Sequence, residues 1–207
     1  IEPNVGTISV PDARLEALEE IVNPERVMPT TIEIVDIAGL VKGAHKGEGL
    51  GNQFLANIRE TDAIIHVLRC FDDGNIIHVD GSVDPKRDKE VIDFELQLKD
   101  LETVEKQLAS VARTAKSGDK DAVKMFDLCN KLKEKLESGE SARSLDFSED
   151  ESALVKGLHL ITSKPVLYLC NVDEASVVSG NAYVESVKEI AASEGAEVLV
   201  IGAQIEA

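Results

Sequence analysis

Residues 31–52 read TIEIVDIAGLVKGAHKGEGLGN, and this stretch decides the fold. It begins with a nearly continuous run of β-branched residues, which is typical of a strand buried on both faces of a parallel sheet. Asp36 lies near the end of the run, Gly39 follows three residues later, and a glycine-rich segment comes after Leu40. The stretch therefore predicts a strand that delivers an acid at its carboxyl end, followed by backbone that can approach a ligand closely.

An acid and a glycine in this order are typical of a nucleotide site. Ligands of open α/β sheets lie at the carboxyl ends of the strands, so Asp36 would face a bound nucleotide and its Mg²⁺, through a water molecule. Gly39 has no side chain, so its backbone N–H could reach a phosphate oxygen. Asp-x-x-Gly also occurs at ordinary strand-to-turn junctions, so the hypothesis needs support from other motifs.

Composition restricts the classes of function. The formal net charge of −17 argues against non-specific binding of nucleic acid by the chain as a whole. Between Lys86 and Arg143, however, 13 Lys and Arg balance 13 Asp and Glu, so the whole excess of negative charge lies outside this segment.

We expect a soluble protein with no membrane association, because no apolar stretch of about 18 residues and no signal peptide occurs. The cysteines lack metal-ligand spacing, which favours buried thiols in a reducing cytoplasm: Cys70, Cys129 and Cys170.

Hydrophobic periodicity predicts strands that alternate with helices, and therefore a parallel βαβ sheet. Strands are expected near residues 5–10, 31–37, 63–71, 165–170 and 196–201, with His66 as a core histidine. From Lys86 onward, apolar residues recur every three or four positions as far as Leu136, with a break at residues 117–119. This pattern predicts an inserted antiparallel helical hairpin with coiled-coil character.

Two further motifs follow the last two predicted strands. Asn171-Val172-Asp173-Glu174 comes after one and Gly202-Ala203-Gln204 after the other. In Ras-like GTPases, these positions hold the base-reading Asn-Lys-x-Asp and Ser-Ala-Lys motifs. An aspartate reads guanine by accepting hydrogen bonds from N1–H and the 2-amino group, a geometry that the extra methylene of Glu174 would disturb. Adenine offers no such pair of donors, so the substitution favours ATP.

With these residues the chain resembles the Obg-like ATPase family, also called the YchF family, of P-loop NTPases. The same resemblance extends to the runs GEGLGN at 47–52, NIRETDA at 57–63 and QIEA at 204–207. It implies a Ras-like G-domain sheet with an inserted antiparallel coiled-coil hairpin, hydrolysis of ATP in preference to GTP, and Mg²⁺ as cofactor. It also implies association with the ribosome or ribosomal RNA and a role in translation in the cytoplasm.

The resemblance assigns roles to particular residues. It places Asp36 at Mg²⁺ through a water and Gly39 at the γ-phosphate. Leu40 occupies the position of the glutamine that orients the attacking water in Ras, which an apolar side chain cannot do. We therefore expect slow intrinsic hydrolysis or another catalytic group, for which the family suggests His78. The nucleotide-binding residues implied are Asp36, Gly39, Asn171, Val172, Glu174, Ala203 and Gln204.

The same resemblance divides the chain into three segments. Residues 1–87 would be the first part of the G domain, 88–162 the helical insertion, and 163–207 the second part with the base-recognition motifs. The phosphate-binding pattern G-x-x-x-x-G-K-[ST] does not occur in the 207 residues, so we expect it upstream of Ile1, and the family's TGS domain beyond Ala207. We therefore expect little or no hydrolysis by this chain alone.

Two other functions remain open at this point. One is an Obg-type GTPase that acts in ribosome assembly. The other is a non-catalytic interaction module in which the hairpin binds the partner. The basic residues of the hairpin that would contact RNA are Lys99, Lys106, Arg113, Lys116 and Lys120. The oligomeric state does not follow from the sequence.

Overall fold

The computed structural model of the protein describes residues 4–36, 50–78 and 81–206, with the backbone alone for 50–54 and 206. The chain divides into two compact units, residues 1–40 and 41–207, and each is described by itself. Residues 37–49, which include Gly39 and Leu40, lie outside the described residues.

The first unit is a β-ribbon with one helix. Strand β1 (Asn4–Ser9) pairs antiparallel with β2 (Thr31–Asp36), and helix α1 (Ala13–Val22) lies between them in sequence. Asp12 caps α1 by accepting a hydrogen bond from the Arg14 backbone N–H at 2.9 Å. The prediction of a buried parallel strand at β2 is wrong, because β2 pairs only within the ribbon and most of its residues are exposed. Its β-branched residues reflect strand propensity rather than burial.

The second unit contains a parallel sheet of three strands. Its strands are β3 (Ile64–Arg69), β4 (Val166–Asn171) and β5 (Glu197–Ile201), in the order β3-β4-β5. Helix α2 (Leu50–Glu60) precedes β3, and α7 (Ala182–Glu194) connects β4 to β5. Gly195 ends α7 in the left-handed conformation at φ 65°, as a glycine C-cap commonly does. The parallel sheet predicted from the sequence is therefore confirmed.

Only one face of this sheet is covered within the described residues. Tyr168 and Cys170 of β4 pack with Leu68 of β3 against Val184 and Val187 of α7. On the opposite face, Ile65 and Val67 of β3 are 46% and 60% exposed. The expectation that β3 is buried throughout is thus wrong for this face, because no element of the described residues covers Ile65 and Val67. All three cysteines are buried and free, as predicted.

Two long helices form the hairpin predicted from the sequence. Helix α3 (Pro85–Lys116) and helix α4 (Lys120–Glu137) are joined by residues 117–119, and Asp119 caps α4 through the backbone N–H of Ala122. A 3₁₀ turn (Ala142–Ser144) and helix α5 (Glu149–Leu158) follow. The hairpin and α5 share an apolar core that includes Val104, Leu132 and Leu158.

The first half of α3 differs from the predicted apolar stripe. Phe94 belongs to this stripe by its spacing, but it is 54% exposed. The buried positions are instead partly polar: Lys89, Glu95, Leu96, Gln97 and Asp100. This prediction failed because this part of α3 lies against polar groups of the sheet and its loops, which an apolar period cannot indicate. No helix in the described ranges is long and apolar enough to cross a membrane.

Candidate functional site

The predicted base motifs come together at one edge of the parallel sheet. Strands β4 and β5 are neighbours in register, with Asn171 opposite Ile201 at their carboxyl ends. Asn171 Oδ1 accepts a hydrogen bond from the backbone N–H of Ala203 at 3.1 Å, and the Val172 N–H donates to Ile201 O at 2.9 Å. Two segments about thirty residues apart are thus joined directly, at the position where open α/β sheets bind ligands.

The polar side chains of the motif Asn171-Val172-Asp173-Glu174 differ in whether they have partners in the protein. Asp173 Oδ1 accepts from the Ser176 backbone N–H at 2.9 Å and so holds the start of helix α6 (Ser176–Ser179). Glu174 is exposed, and its side chain has no hydrogen bond or ion pair with the described residues. Asn171 Nδ2 also lacks a partner among them. Glu174 and the Asn171 amide are therefore the side-chain groups of this motif left to meet a ligand.

Val172 and Gly202 fix how the two base motifs pack against the core. Val172 is 3% exposed and belongs to the core beneath the sheet, so its side chain faces away from solvent. A Cβ atom on Gly202 would lie 2.7 Å from Val177 Cγ2 and 3.1 Å from Ile205 Cδ1. Any side chain at position 202 would therefore have to displace the side chains of Val177, which lies in α6, and of Ile205, which lies in the short helix α8 (Ala203–Glu206). Ala203 and Gln204 are exposed beside it.

The predicted phosphate and metal residues belong to the other unit. Asp36 is the last residue of β2 and is exposed, with no ion pair in the part of the chain that the structure describes. Gly39, the predicted γ-phosphate contact, lies outside the described residues. No group of three His, Cys, Asp or Glu that could hold a metal occurs among residues 4–36, 50–78 and 81–206. A single free carboxylate still fits Mg²⁺, which keeps several waters and takes one or two carboxylates from a protein.

His78 is held at the start of the hairpin. Its Nε2 lies 2.9 Å from Asp88 Oδ2 in the first turn of α3, and the Arg87 guanidinium bonds the other oxygen of Asp88 at 3.0 Å. The side chain of His78 is 16% exposed. A catalytic role for His78 stays a prediction, and the structure gives this histidine a second possible role as an anchor of the loop before α3.

A charged cluster that sequence reasoning missed lies under the sheet. Lys89 Nζ binds Asp93 Oδ2 at 2.6 Å and also Glu194 Oε1, while Tyr168 donates its hydroxyl to Glu194 Oε2 at 2.6 Å. Burial opposes the charge of Glu194, but the bonds from Lys89 and Tyr168 outweigh it and lower the pKa of Glu194. Lys89, Asp93 and Glu194 of this cluster line a cavity of about 750 Å³ between α3, the 3₁₀ turn and the end of α7. The signal that could have found it is a lysine and an aspartate four residues apart on α3.

His66 faces this cluster from β3. Burial lowers the pKa of His66, against the opposing attraction of Asp93. Its ring centroid lies 5.9 Å from that of Tyr168. His66 therefore packs beside the aromatic ring of Tyr168, in agreement with the prediction of a core histidine.

Comparisons with known proteins identify the family of the chain. Residues 10–120 match the family described as "50S ribosome-binding GTPase". The chain is 56% identical over its full length to the ribosome-binding ATPase YchF of Bacillus subtilis, and 52% identical to that of Escherichia coli. The structure of the YchF GTPase from Schizosaccharomyces pombe matches 98% of the chain with a TM-score of 0.80 and 36% identity. This chain belongs to the Obg-like ATPase (YchF) family of P-loop NTPases.

The chain spans 57% of the length of the YchF proteins of B. subtilis and E. coli and 56% of the S. pombe structure. Membership of the YchF family confirms the predicted P-loop NTPase fold. P-loop NTPases hydrolyse nucleoside triphosphates and in general use Mg²⁺.

Proposed function

We propose that this chain forms the base-reading and phosphate-sensing parts of an ATPase that binds ATP in preference to GTP. The observation that carries the proposal is the hydrogen bond between Asn171 and the Ala203 N–H, which joins the two base motifs at the carboxyl edge of the sheet. Asn171 would bond the adenine edge through its amide, and Ala203 and Gln204 would line the base pocket. Val172 would support this loop from the core.

The proposed preference for adenine over guanine depends on Glu174. Its exposed carboxylate stands at the position where an aspartate would read guanine, but its side chain is longer by one methylene. A carboxylate displaced by one methylene cannot accept both guanine hydrogen bonds in good geometry, so bound GTP would leave at least one of these donors without a partner. We infer that this position penalises GTP and leaves ATP as the preferred nucleotide.

The phosphate end would use residues of the first unit. Asp36 would hold Mg²⁺ through a water, Gly39 would contact the γ-phosphate with its backbone, and the metal would neutralise charge on the phosphate oxygens. Leu40 cannot orient a water molecule, so His78 is proposed as the group that does. The pattern G-x-x-x-x-G-K-[ST] is not among the 207 residues, and we therefore propose that this chain alone hydrolyses little or no ATP.

Loss of the Asn171 amide tests the base site. In the full-length protein, Asn171→Ala should weaken ATP binding by about tenfold or more, because both the base contact and the support of Ala203 disappear. The matched control is Asn130→Ala on exposed α4, where the affinity should not change. Titration with a fluorescent ATP analogue measures both, and unchanged affinity in Asn171→Ala would remove this residue from the site.

The hairpin is proposed as the ribosome-binding arm, residues 88–162, acting in the cytoplasm. Lys99 pairs with Glu102 at 2.9 Å, but the other cations predicted for RNA contact have no ion pair among the described residues. We call them the distal cations: Lys106, Arg113, Lys116 and Lys120. The other lysines of α4, by contrast, are paired with carboxylates: Lys124, Lys131, Lys133 and Lys135. Unpaired positive charge at the far end of an acidic protein suits contact with RNA phosphates.

Two sets of substitutions with equal change in charge test this arm. Replacing the four distal cations by Gln in the full-length protein should weaken ribosome binding and reduce its salt dependence by roughly one unit of slope for each phosphate that the variant no longer binds. Replacing the four paired α4 lysines by Gln is the control and should have the smaller effect. Equal effects of the two sets in a ribosome co-sedimentation assay would argue against the distal cations.

An Obg-type GTPase is the second candidate, because both the matched family and the S. pombe structure are described as GTPases. Competition between ATP and GTP for the full-length protein distinguishes the two functions.

A further inference from the structure

The cavity between α3, the 3₁₀ turn and the end of α7 has polar walls whose groups are not all paired. Five residues of α3 line it, and spacings of three and four place them on one face of the helix: Lys89, Glu90, Asp93, Phe94 and Gln97. The residues proposed for nucleotide or RNA contact are not among those that line it. The cavity is therefore a separate candidate for a binding site.

Gln97 brings an unused hydrogen-bond acceptor to the cavity. Its side chain is buried, at 6% exposure, and its Nε2 donates to Gly139 O at 3.2 Å and to Ser141 Oγ at 3.4 Å. Because Gly139 O can only accept, these bonds fix which end of the amide is the nitrogen. The Oε1 atom then receives no hydrogen bond from residues 4–36, 50–78 and 81–206. A donor that enters the cavity would find this acceptor in place.

Asp93 and Glu90 offer further acceptors on the same face of α3. Asp93 Oδ2 binds Lys89 at 2.6 Å, but Asp93 Oδ1 lies 4.0 Å from Arg143 Nη2, which is beyond hydrogen-bond distance. Glu90 is exposed and forms no ion pair with the described residues. The free groups that α3 presents to the cavity are thus oxygen atoms that accept hydrogen bonds.

The charge of the lining suits a ligand with one positive charge. Glu140 also lines the cavity, but it pairs with Lys135 at 2.6 Å. The other charged residues of the lining are three acids and two bases: Glu90, Asp93, Glu194, Lys89 and Arg143. One negative charge is therefore left without compensation. The carboxyl end of α7 adds the partial negative charge of a helix terminus.

An exposed aromatic ring lies beside these acceptors. Phe94 lines the cavity and is 54% exposed. The face of an aromatic ring attracts cations, and a planar guanidinium also stacks on it. A guanidinium has five N–H donors in a planar fork, so it can serve several acceptors at once. The free groups of the cavity therefore favour a guanidinium over an ammonium group.

We propose that this cavity binds the guanidinium of one arginine side chain of a partner polypeptide. The guanidinium would donate to Gln97 Oε1 and Asp93 Oδ1, Glu90 would compensate its charge, and the ring of Phe94 would cover one face. The volume of about 750 Å³ lies in the range of about 300 to 1,000 Å³ that holds drug-sized ligands. It exceeds the need of one side chain and leaves room for the neighbours of the arginine.

This inference goes beyond the proposed function. The distal cations are proposed to contact RNA, whereas the cavity would contact a basic polypeptide, which the net charge of −17 also attracts. The two surfaces would therefore recognise partners of opposite charge.

Matched ligands test the chemistry of the cavity. Ligand-observed NMR with the full-length protein measures the affinity of a short blocked peptide that carries one arginine among alanines, and of the same peptide with lysine or with uncharged citrulline. We expect the arginine peptide to bind with a dissociation constant of about 1 mM or less. The lysine peptide should bind about threefold more weakly, and the citrulline peptide about tenfold more weakly. Spermidine, which has only ammonium groups, should displace the arginine peptide no better than the lysine peptide does.

Matched variants show whether the peptide binds in the cavity. Glu90→Gln removes the uncompensated charge and should weaken binding of the arginine peptide about threefold or more. Phe94→Leu keeps apolar surface but removes the ring, and should weaken it about threefold. The controls are Glu134→Gln on exposed α4 and Phe94→Tyr, which keeps the ring, and both should bind as the wild type does. If Phe94→Leu does not fold, Glu90→Gln against Glu134→Gln decides.

Four results would overturn the inference. The first is no detectable binding of the arginine peptide, and the second is equal binding of the arginine and citrulline peptides. The third is an equal effect of Glu90→Gln and Glu134→Gln, which would mean that the acidic surface as a whole attracts the peptide. The fourth is tighter binding of spermidine than of the arginine peptide with the same dependence on Glu90 and Phe94, which would assign the cavity to a polyamine. None of these results bears on nucleotide or RNA binding, so the proposed function is tested separately.

Discussion

In the half of α3 next to the sheet, several charged side chains are buried and bonded to other parts of the chain, whereas from Glu105 onward the charged side chains of α3 are exposed. Asp100 and Lys89 are 0% and 6% exposed, and they bind the loop before β4 and the end of α7. Further along the hairpin, Lys133 bonds Glu105 at 2.7 Å on the surface, and the distal cations form no ion pair with the described residues. The near half thus fixes how the hairpin leaves the sheet, and the far half remains available for a partner.

Removal of the Asp100 side chain should lower the free energy of unfolding more than any other change to the two halves of α3. Asp100→Ala leaves the backbone N–H groups of Ile161 and Thr162 buried without acceptors, and we expect the free energy of unfolding to fall by about 3 kcal/mol. Urea unfolding followed by circular dichroism measures it. The control is Asp127→Ala, since Asp127 is exposed on α4. If the two variants unfold at the same urea concentration, Asp100 does not fix the hairpin.

Low pH should reduce the stability of the fold around the near half of α3, because His66 gains a proton. Because burial lowers the pKa of His66 below its ordinary value of 6.5, the unfolded chain binds a proton before the folded one does. This contribution to stability is complete above pH 6.5 and is lost as the pH falls through the folded pKa. Lys89 and Arg143 oppose the charged ring, whereas Asp93 and Glu194 favour it, and burial is the largest effect.

His66→Gln should therefore lose less stability than the wild type between pH 7.5 and pH 5.5. Unfolding at pH 7.5, where the wild-type histidine is neutral, measures the cost of the substitution itself. An equal loss in the two proteins on acidification would show that His66 is not responsible.

Removal of an exposed ion pair in the far half should have the smallest effect. Lys133 binds Glu105 and Glu137 on the surface, where water and salt screen the attraction. We expect Lys133→Ala to unfold at the same urea concentration as the wild type within error, in both low and high salt. A clear loss of stability would mean that the two halves of the hairpin do not differ as described.

The local features of the fold could be predicted from the sequence. The break between α3 and α4 follows from Ser117-Gly118-Asp119, and the spacing of Ser148 and Glu151 is that of the capping box that they form at the start of α5. The base motifs were found because they directly follow strands, and a strand end fixes where the next residues lie.

The long-range contacts could not be predicted in this way. Lys164 binds carbonyls more than one hundred residues away, and backbone carbonyls leave no pattern in a sequence. Asp100 did leave a trace, since it lies four residues from both Leu96 and Val104 on the buried face of α3. The antiparallel pairing of β2 was missed because β-branched residues indicate a strand but not its partner.

The choice of nucleotide is the central claim, and competition between ATP and GTP tests it most directly. In the full-length protein we expect ATP to displace a bound fluorescent nucleotide at lower concentration than GTP. In Glu174→Asp, which restores the shorter guanine-reading side chain, the ratio of the two affinities should shift toward GTP. Tighter binding of GTP than ATP by the wild type would contradict the account and favour an Obg-type GTPase.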